Sequence, residues 1–160
     1  MKGSMGGAWA VFAAVLFLLP AAASAGPADY PGWERGGDYD SRYKVSEYDS
    51  FKGAVKKVEV VTPMPGMAPG VAVVVTDEEG TDVEVQLGPR GFVDEKATGF
   101  KAGDKVKVKG VWAEIGGKEV FLASKVKKGD LFQLKVRRTK DGMPFWAMTA
   151  GELEKEKAEE

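Results

Sequence analysis

The chain has 160 residues, 44% of them hydrophobic, with 23 basic against 24 acidic side chains and a formal net charge of −1. It contains no histidine and no cysteine, which excludes CxxCH haem attachment, Cys/His zinc sites, thiol nucleophiles, imidazole bases and disulfides. Carboxylate pairs, Ser/Lys dyads and all-oxygen metal sites stay chemically open, but none occurs at a recognisable spacing, so the chain is expected to be no enzyme and to use no cofactor and no metal.

At the N-terminus, Lys2 precedes an apolar run from Trp9 to Leu19, followed by Pro20 and the small residues Ala21 to Ala25. A basic start, an apolar core of about a dozen residues and an Ala23-Ser24-Ala25 box predict a secretory signal peptide, residues 1–25, cleaved after Ala25. A bilayer span needs about 20 apolar residues; an uncleaved N-terminal anchor is the alternative reading. Cleavage removes Lys2 from the 23 basic residues and nothing from the 24 acidic ones, leaving a net charge of −2. That balance points to no polyanionic partner. No second apolar segment follows, so no transmembrane span is expected after cleavage and the product is expected to be periplasmic or secreted. About 135 residues suffice for one domain plus tails. Without cysteine in an oxidising compartment, packing alone must hold that domain together.

Residues 26–50 are rich in Gly, Pro and Asp and hold every tyrosine of the chain, Tyr30, Tyr39, Tyr43 and Tyr48. They read as an extended arm, either a sticky aromatic segment for a partner or a spacer whose end packs on the domain. From Phe51 the pattern changes to short alternating apolar runs between turn residues, the mark of antiparallel β-structure. The predicted strands are Phe51–Val61, Val71–Thr76, Thr81–Leu87, Lys105–Glu114 and Glu119–Val126. One or two helical turns are expected around Val93–Ala97, and a further hairpin pairs Leu131–Arg138 with Met143–Ala147 around Asp141-Gly142. Three strands, a short helix and a two-stranded return predict a mainly β fold, a small OB-like antiparallel barrel over residues 51–149 with an extra C-terminal hairpin. A sandwich or SH3-like barrel would use similar local signals. Residues 150–160 form a charged tail, a solvated helix or a frayed end.

The hairpin across Gly116-Gly117 can be registered from its own residues. Val106, Val108 and Trp112 are expected to share a face with Val120, Leu122 and Val126, so paired positions must sum to an even number. A three-residue loop, Gly116-Gly117-Lys118, or an equivalent bulge satisfies this. Ile115 then faces Glu119, Trp112 faces Leu122 and Val108 faces Val126, while Lys109 lies opposite Lys125 and Lys107 opposite Lys127 on the outer side. Like charges across a ladder are unfavourable, so Lys107, Lys109, Lys125 and Lys127 form a candidate anion or partner patch; protection of a sheet surface against aggregation is the plainer reading. Nucleic acid is not indicated: the second strand is aliphatic and Asp82, Glu84 and Gln86 face outward on the third, where phosphates would be repelled.

The loop Thr62–Gly70 carries three prolines and presents Met64, Pro65 and Met67, a candidate partner-contact loop. Thioethers suit Cu(I), but two methionines without His or Cys make an incomplete copper site.

Several segments together are similar to a known group. They are Val58-Glu59 leading to Thr62-Pro63-Met64-Pro65-Gly66-Met67, Val83 to Pro89 with Phe92, Phe100–Gly110, Ala123–Asp130, and Asp141-Gly142 before Trp146. Over about residues 51–147 the chain resembles small exported bacterial OB-like proteins, in particular the domain shared by the magnetosome proteins MamS and MamX. The resemblance implies a periplasmic or membrane-associated accessory role near metal or redox machinery, with the domain as a protein-contact module. MamX-type proteins also carry CxxCH motifs; this chain has none, so electron transfer is not carried over. The expected function is therefore a non-catalytic periplasmic binding module acting on a protein partner whose identity the sequence does not give, the alternative being small-ligand or anion binding on the lysine patch.

Overall fold

The computed structural model describes residues 16–18, 30–94 and 98–158. The predicted cleavage site after Ala25 lies outside the described residues, as does most of the signal peptide. The strands are β1 (Leu16–Leu18), β2 (Tyr48–Val61), β3 (Gly70–Asp77), β4 (Asp82–Pro89), β5 (Lys105–Ile115), β6 (Lys118–Lys128) and β7 (Phe132–Lys135), followed by one helix, α1 (Ala150–Ala158). They form one sheet in the order β1-β7-β6-β4-β3-β2-β5, and β5 also pairs with β6, so the five strands β2 to β6 close into a ring. All ladders of the ring are antiparallel except β4 with β6, which run parallel through Val85↔Phe121 and Gln86↔Leu122.

Alternation fills the ring. Val55 pairs with Val75, Val75 with Val83, Val73 with Val85, and Val85 with Phe121; Val108 pairs with Val126, and Val126 with Leu134 on β7. Directly opposed residues share a face, so these buried side chains make one continuous interior. Phe51, Trp112 and Phe121 close one part of it, with Trp112 and Phe121 edge to face at 4.9 Å. Bulges at Val55/Lys57, Val71/Ala72 and Lys109/Gly110 bend the ladders. At the last of these Gly110 is required by space: a Cβ there would lie 2.0 Å from the Leu122 carbonyl oxygen.

A second layer covers part of the ring from outside. The stretch read as an extended arm is built of short turns, including 3-10 turns at Asp40–Arg42 and Val45–Glu47, and it buries Tyr30, Trp33, Tyr39 and Tyr43. Trp33 packs over Gly70, where a Cβ would meet its ring at 2.4 Å. Its Nε1 donates to the Ala68 carbonyl (2.8 Å), and Trp146 Nε1 donates to the Trp33 carbonyl (2.8 Å). The Tyr39 hydroxyl donates to Gln86 Oε1 at 2.8 Å, and burial holds that phenol well above the ordinary tyrosine range. Of the expected outward face of the third strand, Gln86 is thus covered and Glu84 pairs with Lys118.

Arg137 locks the layer down. Only 1% exposed, its guanidinium lies between the rings of Tyr43 (4.7 Å) and Trp146 (4.8 Å). Its Nη1 bonds Asp40 Oδ1 at 2.5 Å and the Gly142 carbonyl at 2.9 Å. A buried cation is tolerated only when a carboxylate and hydrogen bonds replace its water, and here the carboxylate comes from the arm.

One C-terminal expectation is corrected. The hairpin around Asp141-Gly142 is not a two-stranded ladder: β7 ends at Lys135 and pairs with β6, and the returning limb makes only the isolated bridge Arg137↔Pro144 before a 3-10 turn at Phe145–Ala147. The bridge runs through Arg138 N to the Met143 carbonyl (2.9 Å) and Phe145 N to the Val136 carbonyl (3.0 Å), after which Phe145 and Trp146 both turn into the core. The charged tail takes the helical one of its two expected forms, and the helix is capped. Thr149 Oγ1 accepts from Glu152 N (3.2 Å), Glu152 Oε2 accepts from Thr149 N (3.4 Å), and Glu156 bonds Arg138 Nη1 (3.0 Å). Of the helical turns expected around Val93–Ala97, residues 95–97 lie outside the described residues; the preceding part is a turn in which Phe92 N and Val93 N both donate to the Pro89 carbonyl.

Two outcomes follow for urea unfolding. Trp33→Ala should destabilise the protein by about 3–5 kcal/mol, the cost of emptying a buried tryptophan site, whereas truncating an exposed spacer residue would cost less than about 0.5 kcal/mol. Gly110→Ala should cost about 1–3 kcal/mol by overpacking, while alanine at Gly103, whose left-handed φ of +94° leaves the Cβ in open space, should cost about 1 kcal/mol.

Candidate functional site: a lysine face

The turn between β5 and β6 is tighter than expected. Gly116 and Gly117, at φ +62° and +77°, form a two-residue turn that pairs Ile115 with Lys118, as the hairpin turn with two positive φ angles requires. Pairing continues in that register to Gly110↔Ala123 and then slips by one residue, so that Lys109 faces Lys125, Val108 faces Val126 and Lys107 faces Lys127. Ser124 is the extra residue, and its Oγ donates to the Lys109 carbonyl at 3.0 Å. The expected lysine pairs are therefore present, reached through a bulge, the second of the two devices expected, and not through the three-residue loop. Trp112 lies opposite Phe121, not Leu122, and Glu119 opposite Glu114, not Ile115. The slip also reverses β6: Phe121 and Val126 line the interior, while Leu122 lies beside Gln86 on the outer face.

The neighbouring ladders widen the patch. On β2, Lys52 lies opposite Lys107 and Ser50 opposite Lys109; on β7, Lys135 lies opposite Lys125 and Gln133 opposite Lys127. Two rows result, Lys52-Lys107-Lys127-Gln133 and Ser50-Lys109-Lys125-Lys135, with Lys105 adjoining on β5. Lys52 was not legible as a member from the sequence, because the β2–β5 pairing joins strands more than 40 residues apart.

The charges on this face differ from those elsewhere. Among the described residues, Lys56, Lys57, Lys118 and Lys128, the other lysines of the ring strands, each hold a carboxylate within 2.6–3.3 Å. Lys52, Lys105, Lys107, Lys109, Lys125 and Lys127 hold none among the described residues. The Lys125 amine is held below the ordinary lysine range by burial and by the nearby Lys109 and Lys127. Lys135, under the Phe145 ring at 5.8 Å, is lowered by burial and by Lys125. At one end of the face a cleft of about 600 Å³ is lined by Lys52, Lys105, Lys107 and Lys127 together with Asp77, Glu78 and Asp130.

The proline loop is placed differently. Met64 and Met67 are half-buried against the core, Pro65 is exposed, and Ala68 N donates to the Pro31 carbonyl at 2.8 Å. The loop therefore clamps the arm onto the ring. Asp104 accepts from Lys101 N (2.8 Å) and Lys128 Nζ (3.3 Å), which lowers its carboxyl; it closes a turn. Asp94 is exposed, and Glu95 lies outside the described residues. Among the described residues no group of three or more Asp or Glu side chains is placed to hold a metal ion, and no helix is long and apolar enough to cross a membrane.

Crowded ammonium groups cost folding energy that ions and alkali relieve. Because Lys125 is depressed in the folded state, the unfolded chain binds more protons near the ordinary lysine value, and stability contributed at this position rises as pH climbs toward it. Lys125→Met should therefore be more stable than the parent by about 0.5–1 kcal/mol at pH 7 and low salt. Denaturation at pH 10 or at high salt should shrink that gain; a gain independent of both would contradict the crowding.

Residues 47–132 match the model of the MamS/MamX magnetosome protein family. The match covers more than half of the chain, every ring strand and the six unpaired lysines. It ends at Phe132, short of the Asp141–Trp146 segment included in the resemblance drawn from the sequence. No curated protein and no solved structure gives a match. With this span of ring strands accounted for, the chain belongs to the MamS/MamX magnetosome protein family.

Proposed function

We propose that the protein is a non-catalytic accessory module of the bacterial envelope, exported behind a cleavable signal peptide, that docks an acidic protein partner on its lysine face near metal or redox machinery. Family membership supports the setting. The ring order, with a parallel closure between β4 and β6 and an antiparallel one between β2 and β5, supports an OB-like barrel as the scaffold, a fold that presents its strand faces to ligands. The observation that carries the reading is the division among the strand lysines. Four are neutralised within the chain, and six on one contiguous face are left for a partner.

Such a face gives fast, salt-sensitive association rather than great affinity. Four pairs at about 0.5 kcal/mol each amount to about 2 kcal/mol, roughly thirtyfold in Kd. The test is amine-reactive cross-linking in cells of the wild type and of a variant with Lys107, Lys109, Lys125 and Lys127 all changed to Ser. The wild type should yield a discrete heavier adduct that high salt and the variant both abolish. Recovery of monomer alone, or an adduct indifferent to the four changes, would overturn the reading.

The cleft beside Lys52, Lys105, Lys107 and Lys127 favours one alternative, a small anionic ligand. Titration with inorganic phosphate and with sulfated sugars separates the two: saturable binding lost in the same variant supports a small ligand, and a flat titration together with the cellular adduct supports the protein partner.

A further inference from the structure

One strand lies outside the ring. β7 pairs with β6 on one side, and its other edge takes β1 in parallel, with Leu16 at Phe132, Phe17 at Gln133 and Leu18 at Leu134. The N-terminal apolar run thus supplies the strand that caps this edge.

The hydrogen-bonding groups on offer there can be assigned. Val136 N donates to the Ser124 carbonyl at 2.9 Å, and continuing the Lys125↔Lys135 register by one residue sets these two directly opposite. Opposed pairs in an antiparallel ladder alternate between bonded and non-bonded. The amides and carbonyls of Gln133 and Lys135 therefore point away from β6, toward the outer edge, where they invite another strand. The two faces of such a strand would meet different surroundings. Phe132 and Leu134 continue the ring interior, whereas Gln133 and Lys135 end the two lysine rows.

We propose that the outer edge of β7 is a strand-acceptor site. Leu16–Leu18 fills it in the full chain. Once processing removes that segment, the edge takes an extended segment of the acidic partner in which aliphatic residues alternate with carboxylates. This inference rests on the lysine-face reading and adds how the partner is held, by main-chain bonds to β7, with its carboxylates reaching across β7 toward Lys125 and Lys127 one strand further in. A second copy of the chain fits poorly, because edge-to-edge pairing would bring two lysine faces side by side.

The test uses residues 26–160, whose described core lies within Tyr30–Met148, and the full chain made without export. The probe is a short synthetic peptide of alternating valine and glutamate. Hydrogen exchange by NMR reads the Gln133 and Lys135 amides, and lysine side-chain resonances report docking on the face. In residues 26–160 a saturating peptide should slow both amides by about tenfold or more, while the full chain shows no such change. Gln133→Pro, which deletes an outward N–H and leaves the β6 ladder intact, should weaken binding about tenfold. Lysine resonances that shift while both amides exchange as before would overturn the strand-acceptor site and leave the lysine face standing. Silence in both readouts would overturn the two together, and equal protection in the full chain would overturn the role given to Leu16–Leu18.

Discussion

The architecture turns on a single extra residue in β6. By inserting Ser124 opposite the Lys109–Gly110 step, the chain reverses which side chains of β6 face inward, since alternation in a strand allows no other outcome. On the turn side of the slip Phe121 fills the ring and Leu122 faces out beneath the arm; on the far side Val126 fills the ring and Lys125 and Lys127 face out. One strand thereby supplies core residues to two layers and lysines to a third surface.

Energetics and function follow from that division. A cysteine-free domain must stabilise itself by burial, and the arm extends the core across the outer surface with Trp33, Tyr39 and Tyr43. It also brings Asp40 to the buried Arg137. The covered half has its charges matched: Glu84 with Lys118, Asp40 with Arg137, Glu156 with Arg138. The uncovered half concentrates ammonium groups that repel one another. Repulsion maintained in a folded protein is the ground for the partner proposed above, and the chain's membership is in the MamS/MamX magnetosome protein family.

The strands were legible because valine alternation and Gly or Asp turns are local signals. The lysine pairs were legible for a stronger reason: parity fixes register whether a three-residue loop or a bulge enforces it, so Lys107↔Lys127 and Lys109↔Lys125 hold with the bulge. The face assigned to Val120 and Leu122 was wrong because burial on both sides of β6 removes the contrast between apolar-in and polar-out. Arm packing was hidden by composition that favours open chain, although a tryptophan and four tyrosines within 19 residues exceed what a solvated spacer keeps. At Asp141-Gly142 the turn signal was sound, but the turning of Phe145 and Trp146 into the core instead of along a ladder had no local signature. Long-range closure of β2 on β5 has no local signature at all.

Because the chain contains no cysteine, the slip can be read directly by engineered disulfides, which need opposed Cβ atoms about 4 Å apart. With Lys109→Cys as the fixed position, Lys125→Cys and Ser124→Cys give two candidate partners on β6, compared under mild oxidation of the folded protein. The slip requires rapid, complete bridging between positions 109 and 125 and little between 109 and 124. Preferential bridging between 109 and 124 would mean that the ladder runs without the slip, and the lysine face would not exist as described.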